Sequence, residues 1–215
     1  MTIGTTWRHC GAVLAVAAAL LPALARGEMK YVETSQLQVV YQSPAGDYLA
    51  PYAIQTLLNG LSAQHARFGY VPDGKVAVFL QDFADRGNAA AVVGAPGNRI
   101  YLDVAPPILS FETFSPGERL YTLANHELVH TVVGDQASAE DTQARRWLGG
   151  KVVAVPEHPE SILYNYLTNP RASSPRWYQE GSAVFMETWY GGGLGRAQGG
   201  YDEMVFRAMV RDDAD

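Results

Sequence analysis

Cysteine is nearly missing from this chain: Cys10 is the only one in 215 residues. That excludes a disulfide scaffold and a zinc finger built from cysteines. Cations are scarce as well, with 16 Lys and Arg against 22 Asp and Glu and a net charge of −6. Nucleic acid and anionic lipid are both bound through clustered Lys and Arg, so neither is expected as the main partner. Internal repeats are absent. Charged residues are only 18% of the chain and hydrophobic ones 47%, which describes a globular protein with a core and not a disordered one. The length suits one ordinary domain or a piece of something larger.

Long apolar runs are lacking too, with one exception. Residues 1–25 carry Arg8 and His9, then an apolar run from Gly11 to Leu24 that closes on Ala23-Leu24-Ala25. A short basic region, a short apolar region and an A-x-A ending make a secretory signal peptide. The run is about 15 residues and contains Pro22, short of the roughly 20 that a bilayer requires, so a membrane anchor is the poorer reading. Cys10 precedes the run and leaves with the peptide. Cleavage removes Arg8 and no acid, leaving 15 basic against 22 acidic residues. The expected product is exported, either secreted or periplasmic, with no membrane attachment after cleavage.

The remaining chain divides by character. Residues 26–110 read as a sheet-containing part. Tyr31–Gln42 is rich in β-formers, Lys75–Gln81 is a nearly continuous apolar strand expected to be buried on both faces, and Asn98–Val104 follows a Gly/Pro turn at residues 94–97. Between them, Ile54, Leu57, Leu58, Leu61 and Phe68 fall at helical spacing within Asp47–Phe68, and His65 on that face reads as a packed or half-exposed core histidine. Residues 111–215 read as mainly helical. Ser115-Pro116-Gly117-Glu118 has the form of a capping box and predicts a buried, nearly all-apolar helix that ends near Val133, with Gly134 at its C-cap. Residues 135–176 are broken by Pro and Gly and read as loops around one or two short helices, Glu160–Leu167 being the best candidate. A helix follows from Arg176 to about Tyr190, then a glycine-rich rim loop, then a further helix from Tyr201. The chain stops in mid-helix by this reading, which favours truncation from a longer protein.

The buried helix contains His126-Glu127-Leu128-Val129-His130, an H-E-x-x-H pattern. Residues four apart are separated by only about 40° around a helix, so both imidazoles project to one side and can share a metal ion. Glu127 projects near them without coordinating and can move a proton from water to a leaving amine. Two His and a Glu in an otherwise apolar helix are costly to bury without partners or metal; the plainer reading is a core helix whose polar residues find ordinary partners. A catalytic zinc needs three protein ligands and one open position. A metzincin would place a third His at position 136, which is Gln136. The better third ligand is Glu180, early in the Arg176–Tyr190 helix. Glu187, seven residues on, shares its face and can hold a ligand His by a hydrogen bond; the competing reading is a solvated surface carboxylate.

H-E-x-x-H followed by Trp177-x-x-Glu180-Gly181-x-Ala183 resembles the gluzincins, the thermolysin and aminopeptidase N side of the zinc metallopeptidases, and most closely their peptidase MA-like domains. The likeness covers about residues 115–190. It implies a zincin-like α+β fold in which a small mixed N-terminal sheet packs on the active-site helix, with a mainly helical part after it. It further implies one zinc ion held by His126, His130 and Glu180, with Glu127 as general base and a peptide or protein as substrate. Two departures matter. The 50 positions between His130 and Glu180 imply an insertion. No G-x-M-E-N strand is present to hold a substrate amine: Gly94–Asn98 lies in that region without a carboxylate, which favours an endopeptidase over an aminopeptidase. The strand near Asn98–Asp103 is the expected edge on which an extended peptide could pair. Tyr178 and Tyr201 are weak candidates for stabilising an oxyanion. The alternative from another class is a non-catalytic binding or assembly module with a structural zinc, against which stands an intact Glu127.

Overall fold

The computed structural model describes residues 27–105 and 118–212, the side chains of Tyr201 and Asp202 excepted. The signal-peptide reading, Cys10, Ser115-Pro116-Gly117 and the Tyr201 side chain lie outside the described residues. The fold is mixed α/β: a five-stranded mixed sheet and six α-helices. The strands are β1 (Glu28–Glu33), β2 (Leu37–Ser43), β3 (Val76–Gln81), β4 (Ala89–Val92) and β5 (Arg99–Asp103). The helices are α1 (Ala50–Phe68), α2 (Arg119–Asp135), α3 (Ala139–Leu148), α4 (Glu160–Thr168), α5 (Arg176–Tyr190) and α6 (Gly200–Arg211). Among the described residues no helix is long and apolar enough to cross a membrane.

The sheet runs in the order β1-β2-β3-β5-β4. The pairs β2–β3 and β3–β5 are parallel, and the outer pairs β1–β2 and β4–β5 are antiparallel. Register places Leu37 beside Val76, Val78 beside Ile100 and Leu80 beside Leu102, so one face presents a continuous apolar layer. Helices α1 and α2 cover that face, through Ala53, Leu57 and Leu61 of α1 and Leu120, Leu123, Ala124 and Leu128 of α2. The opposite face is only half covered, and there Phe79 stacks on Tyr101 with ring centroids 5.1 Å apart. Strand β3 therefore alternates buried and half-buried residues instead of being buried on both faces, because among the described residues helices lie against one side of the sheet only.

Several expectations need correcting. Tyr31–Gln42 is two strands, broken where the Thr34 hydroxyl accepts the amides of Gln36 and Leu37 and turns the chain back on itself. The Asn98–Asp103 region forms β5, an interior strand, and the edge beside it among the described residues is β4, whose alanines carry no β signal of their own and are strand only by pairing with β5. His65 is exposed, and the fully buried polar residue of that turn is its neighbour Gln64. Helix α2 begins at Arg119 with Glu118 itself as the cap: its carboxylate accepts the amides of Leu120 at 3.0 Å and Tyr121 at 2.6 Å. The helix also passes through Gly134 to Asp135. Gly134 is there for proximity and not for capping, since a Cβ on it would meet the Val93 side chain at 3.1–3.3 Å, just beyond β4.

A third layer lies beyond α2. Helix α5 packs on its far side, where Val129, Ala183 and Met186 form a small separate core with Val133 and Tyr190. Helix α2 is thus sandwiched between the sheet and α5, which is why nearly all its faces are apolar. The chain between α2 and α5 is pinned to the C-terminal end of α2. Arg145 of α3 donates to the carbonyls of Thr168 at 2.7 Å and Asp135 at 3.1 Å, and Arg171 donates to Gln136 O at 2.8 Å. The long excursion therefore returns α5 to where it started.

Candidate metal centre

His126 and Glu127 are buried and His130 is nearly so, because all three lie on the part of α2 that faces α5 and β4. Their ligand atoms lie within 4.8 Å of one another, a group able to hold a metal ion. The Nε2 atoms of His126 and His130 are 3.0 Å apart. Glu180, on the first turns of α5, points Oε2 at both rings and stands 3.5 Å from each Nε2. Three lone-pair atoms so converge on one point, with edges of 3.0, 3.5 and 3.5 Å. A tetrahedral ion with bonds of about 2.0–2.1 Å has donor–donor edges of about 3.3–3.4 Å, so the donor set fits zinc in both chemistry and spacing. Glu127 follows His126 by one residue, about 100° around the helix, and so does not share that triangle.

Behind the triangle, Glu187 accepts from His126 Nδ1 at 2.8 Å. It is no solvated carboxylate, since its side chain has zero exposure. Arg196 grips the same carboxylate with two hydrogen bonds, Nε to Oε1 at 2.7 Å and Nη2 to Oε2 at 2.8 Å. Burial pushes the Glu187 carboxyl up, but the hydrogen bonds and charges of Arg196 and His126 outweigh it and hold the group down at about 2. Glu187 is therefore held as the anion near neutral pH. Glu127 is the opposite case. Burial dominates, the His126 charge lowers and the Glu180 charge raises, and the carboxyl is pushed up to about 7, with the Ala91 amide of β4 donating to it. A carboxyl balanced near neutrality can both take and return a proton. Burial also pushes His130 below its ordinary value, and the neighbouring His126 adds to that, which favours the neutral imidazole.

The centre opens on a cleft of about 850 Å³, walled on one side by β4 and on the other by Arg176, Gln179 and Val184. Asp103 N donates to Asn88 O at 2.9 Å, which turns Asn88 toward β5; by alternation Ala89 and Ala91 direct their backbone groups outward. Tyr178 does not line this cleft. It borders a groove on the other side of α5 with Phe68, Val132 and Phe185, because neighbouring residues on a helix face about 100° apart. Gln136 lies past the end of α2, donating to Phe68 O at 3.1 Å. Arg196 escaped the sequence reading: it sits in the stretch taken for a rim loop, and a single Arg among glycines was its one signal. No family model matches the chain, and no curated protein or solved structure matches it.

Proposed function

We propose that this chain is a zinc-dependent peptidase of the gluzincin type, zincin-like in fold, exported, and acting as an endopeptidase. The reading rests on one observation: His126 Nε2, His130 Nε2 and Glu180 Oε2 meet at zinc spacing on the floor of an open cleft. A structural zinc is closed by four protein ligands, whereas three ligands beside a cleft leave a position for substrate or water. That favours catalysis over the non-catalytic alternative. When bound, zinc supplies a Lewis acid that polarises a carbonyl and makes water a nucleophile near neutral pH.

The chain's own groups account for the rest. An extended peptide pairs with the outward backbone groups of Ala89 and the carbonyl of Ala91 on the β4 edge, adding a strand to the sheet. The substrate backbone then runs along the cleft past the two histidines. Glu127 takes a proton from the attacking water on a carboxylate oxygen and delivers it to the leaving amine nitrogen. Glu187 keeps the His126 proton on Nδ1, which leaves Nε2 free to ligate. The turn at Gly94–Asn98 just beyond β4 has no carboxylate for a substrate amine, which supports internal cleavage.

Metal content per chain and digestion of casein, with and without chelator, test the reading together. One zinc per wild-type chain and chelator-sensitive cleavage are expected. Glu127→Gln should keep zinc and lose roughly 10²–10⁴-fold in cleavage rate. Glu180→Ala should lower zinc content. Full zinc affinity in the Glu180 variant would remove the third ligand, and cleavage surviving Glu127→Gln would remove the base.

A further inference from the structure

We infer that Arg196 is a positioning residue of the metal centre, acting through Glu187 to set the tautomer of His126, so that the glycine-rich loop after α5 is part of the site and not a rim. The inference builds on the metal-centre reading above.

The loop is folded tightly to deliver this one side chain. Gly192 and Gly193 hold φ of +67° and +90°, conformations that a side chain would strain. Gly195 lies so close to α5 that a Cβ would come within 2.4 Å of Thr188 Cα. The Thr188 hydroxyl then accepts the Ala197 amide at 3.0 Å, clamping the loop on both sides of Arg196. Both ends of the Glu187 carboxylate are engaged by the guanidinium, and the Arg196 amide also approaches Oε1 at 3.4 Å.

What this does to His126 follows from donor counting. Arg196 Nη2 and His126 Nδ1 each stand 2.8 Å from Glu187 Oε2, and 2.8 Å from each other. A guanidinium has donors only. With the imidazole proton on Nδ1, both nitrogens donate to Oε2 and share its two lone pairs; with it on Nε2, Nδ1 accepts from Arg196 instead. Only the first tautomer leaves Nε2 with a lone pair toward His130 and Glu180. A carboxylate pinned in a fork cannot rotate away from Nδ1, so the fork favours the ligating form. Without Arg196, Glu187 would sit in the same buried place with nothing to hold its orientation. Outer partners of metal-binding histidines typically contribute 10–100-fold in affinity.

The test uses Arg196→Met, with Arg196→Lys as a variant that retains the charge but not the fork. Zinc affinity is measured by competition with a chelator, and the His126 tautomer by ¹⁵N NMR of the metal-free protein. Thermal melts check that each variant is folded. Expected are about a 10–100-fold loss of zinc affinity in Arg196→Met, a smaller loss in Arg196→Lys, and a shift of the metal-free His126 ring from Nδ1–H toward Nε2–H. Folded variants with unchanged affinity and an unchanged His126 spectrum would overturn the inference. If Arg196→Met does not fold, Arg196→Lys decides by the same two readouts. Should the wild-type chain bind no zinc, the metal-centre reading fails, while the tautomer shift still decides the role of Arg196.

Discussion

Helix α2 carries two buried polar clusters, one in its middle and one at its C-terminal end, and they are built in opposite ways. At the end, Asp135 is surrounded by its own complement. Lys151 and Arg145 pair with it, Tyr70 donates to Oδ2 at 2.8 Å and Asn98 at 2.5 Å, and Arg145 also reaches Asp73. Burial, followed by the charge and hydrogen bond of Asp135, pushes Tyr70 well above its ordinary value, so its proton stays in place. Nothing there is left over. In the middle, two imidazole nitrogens and a carboxylate oxygen face one another across 3.0–3.5 Å, an arrangement that a proton or a metal cation between them holds together. Burial of polar groups is common to both clusters; what separates a site from a structural knot is whether donors and acceptors balance.

The largest expected effect that sharpens this contrast is on stability. Asp135→Ala leaves Lys151 buried without an anion and Arg145 with Asp73 alone, and should cost about 3–5 kcal/mol in urea unfolding. The protein that remains folded should bind metal at the proposed centre as the wild type does; if metal binding is lost while stability holds, the two clusters are not independent. Chelation is the converse experiment. At free zinc of 100 times Kd, bound metal contributes about 2.7 kcal/mol, so a chelator should lower the melting temperature of the wild type and of Asp135→Ala by a similar free energy. A non-additive loss would tie the clusters together.

The smallest effect concerns pH in the metal-free protein. Glu127 holds its proton to about pH 7 when folded, and ordinarily to about 4.5 when not. The folded state then binds more protons between those values, so the contribution of Glu127 is fully present below about pH 4.5 and is lost as pH rises to about 7, at no more than about 1.4 kcal/mol per pH unit. His130 works the other way: its lowered pKa stabilises above its ordinary value and is lost as pH falls. The difference between wild type and Glu127→Gln isolates the first term. A pH-independent difference across that window would show that Glu127 is not held protonated.

Much of this could be seen in the residues before any coordinates. Helical spacing located α1, the breadth of the apolar pattern marked α2 as buried, and the end of the Pro- and Gly-broken stretch marked the start of α5. The four-residue step from His126 to His130 puts both rings on one side of a helix whatever surrounds it. Three features were hidden for a common reason. Ala89–Val92 becomes a strand only against β5, Gly134 is explained only by Val93 beside it, and Arg196 matters only because Glu187 is there.

Local chemistry wrote the helices and the short-range grouping of His126, Glu127 and His130 into the chain directly, because those contacts span a turn or two of backbone. The position of Glu180 over the two rings, the β4 wall of the cleft and the fork beneath His126 join residues from 9 to 70 positions apart. Such contacts depend on how α5 packs on α2 and how the sheet pairs, and packing of that kind is settled by the fit of whole surfaces rather than by any local pattern.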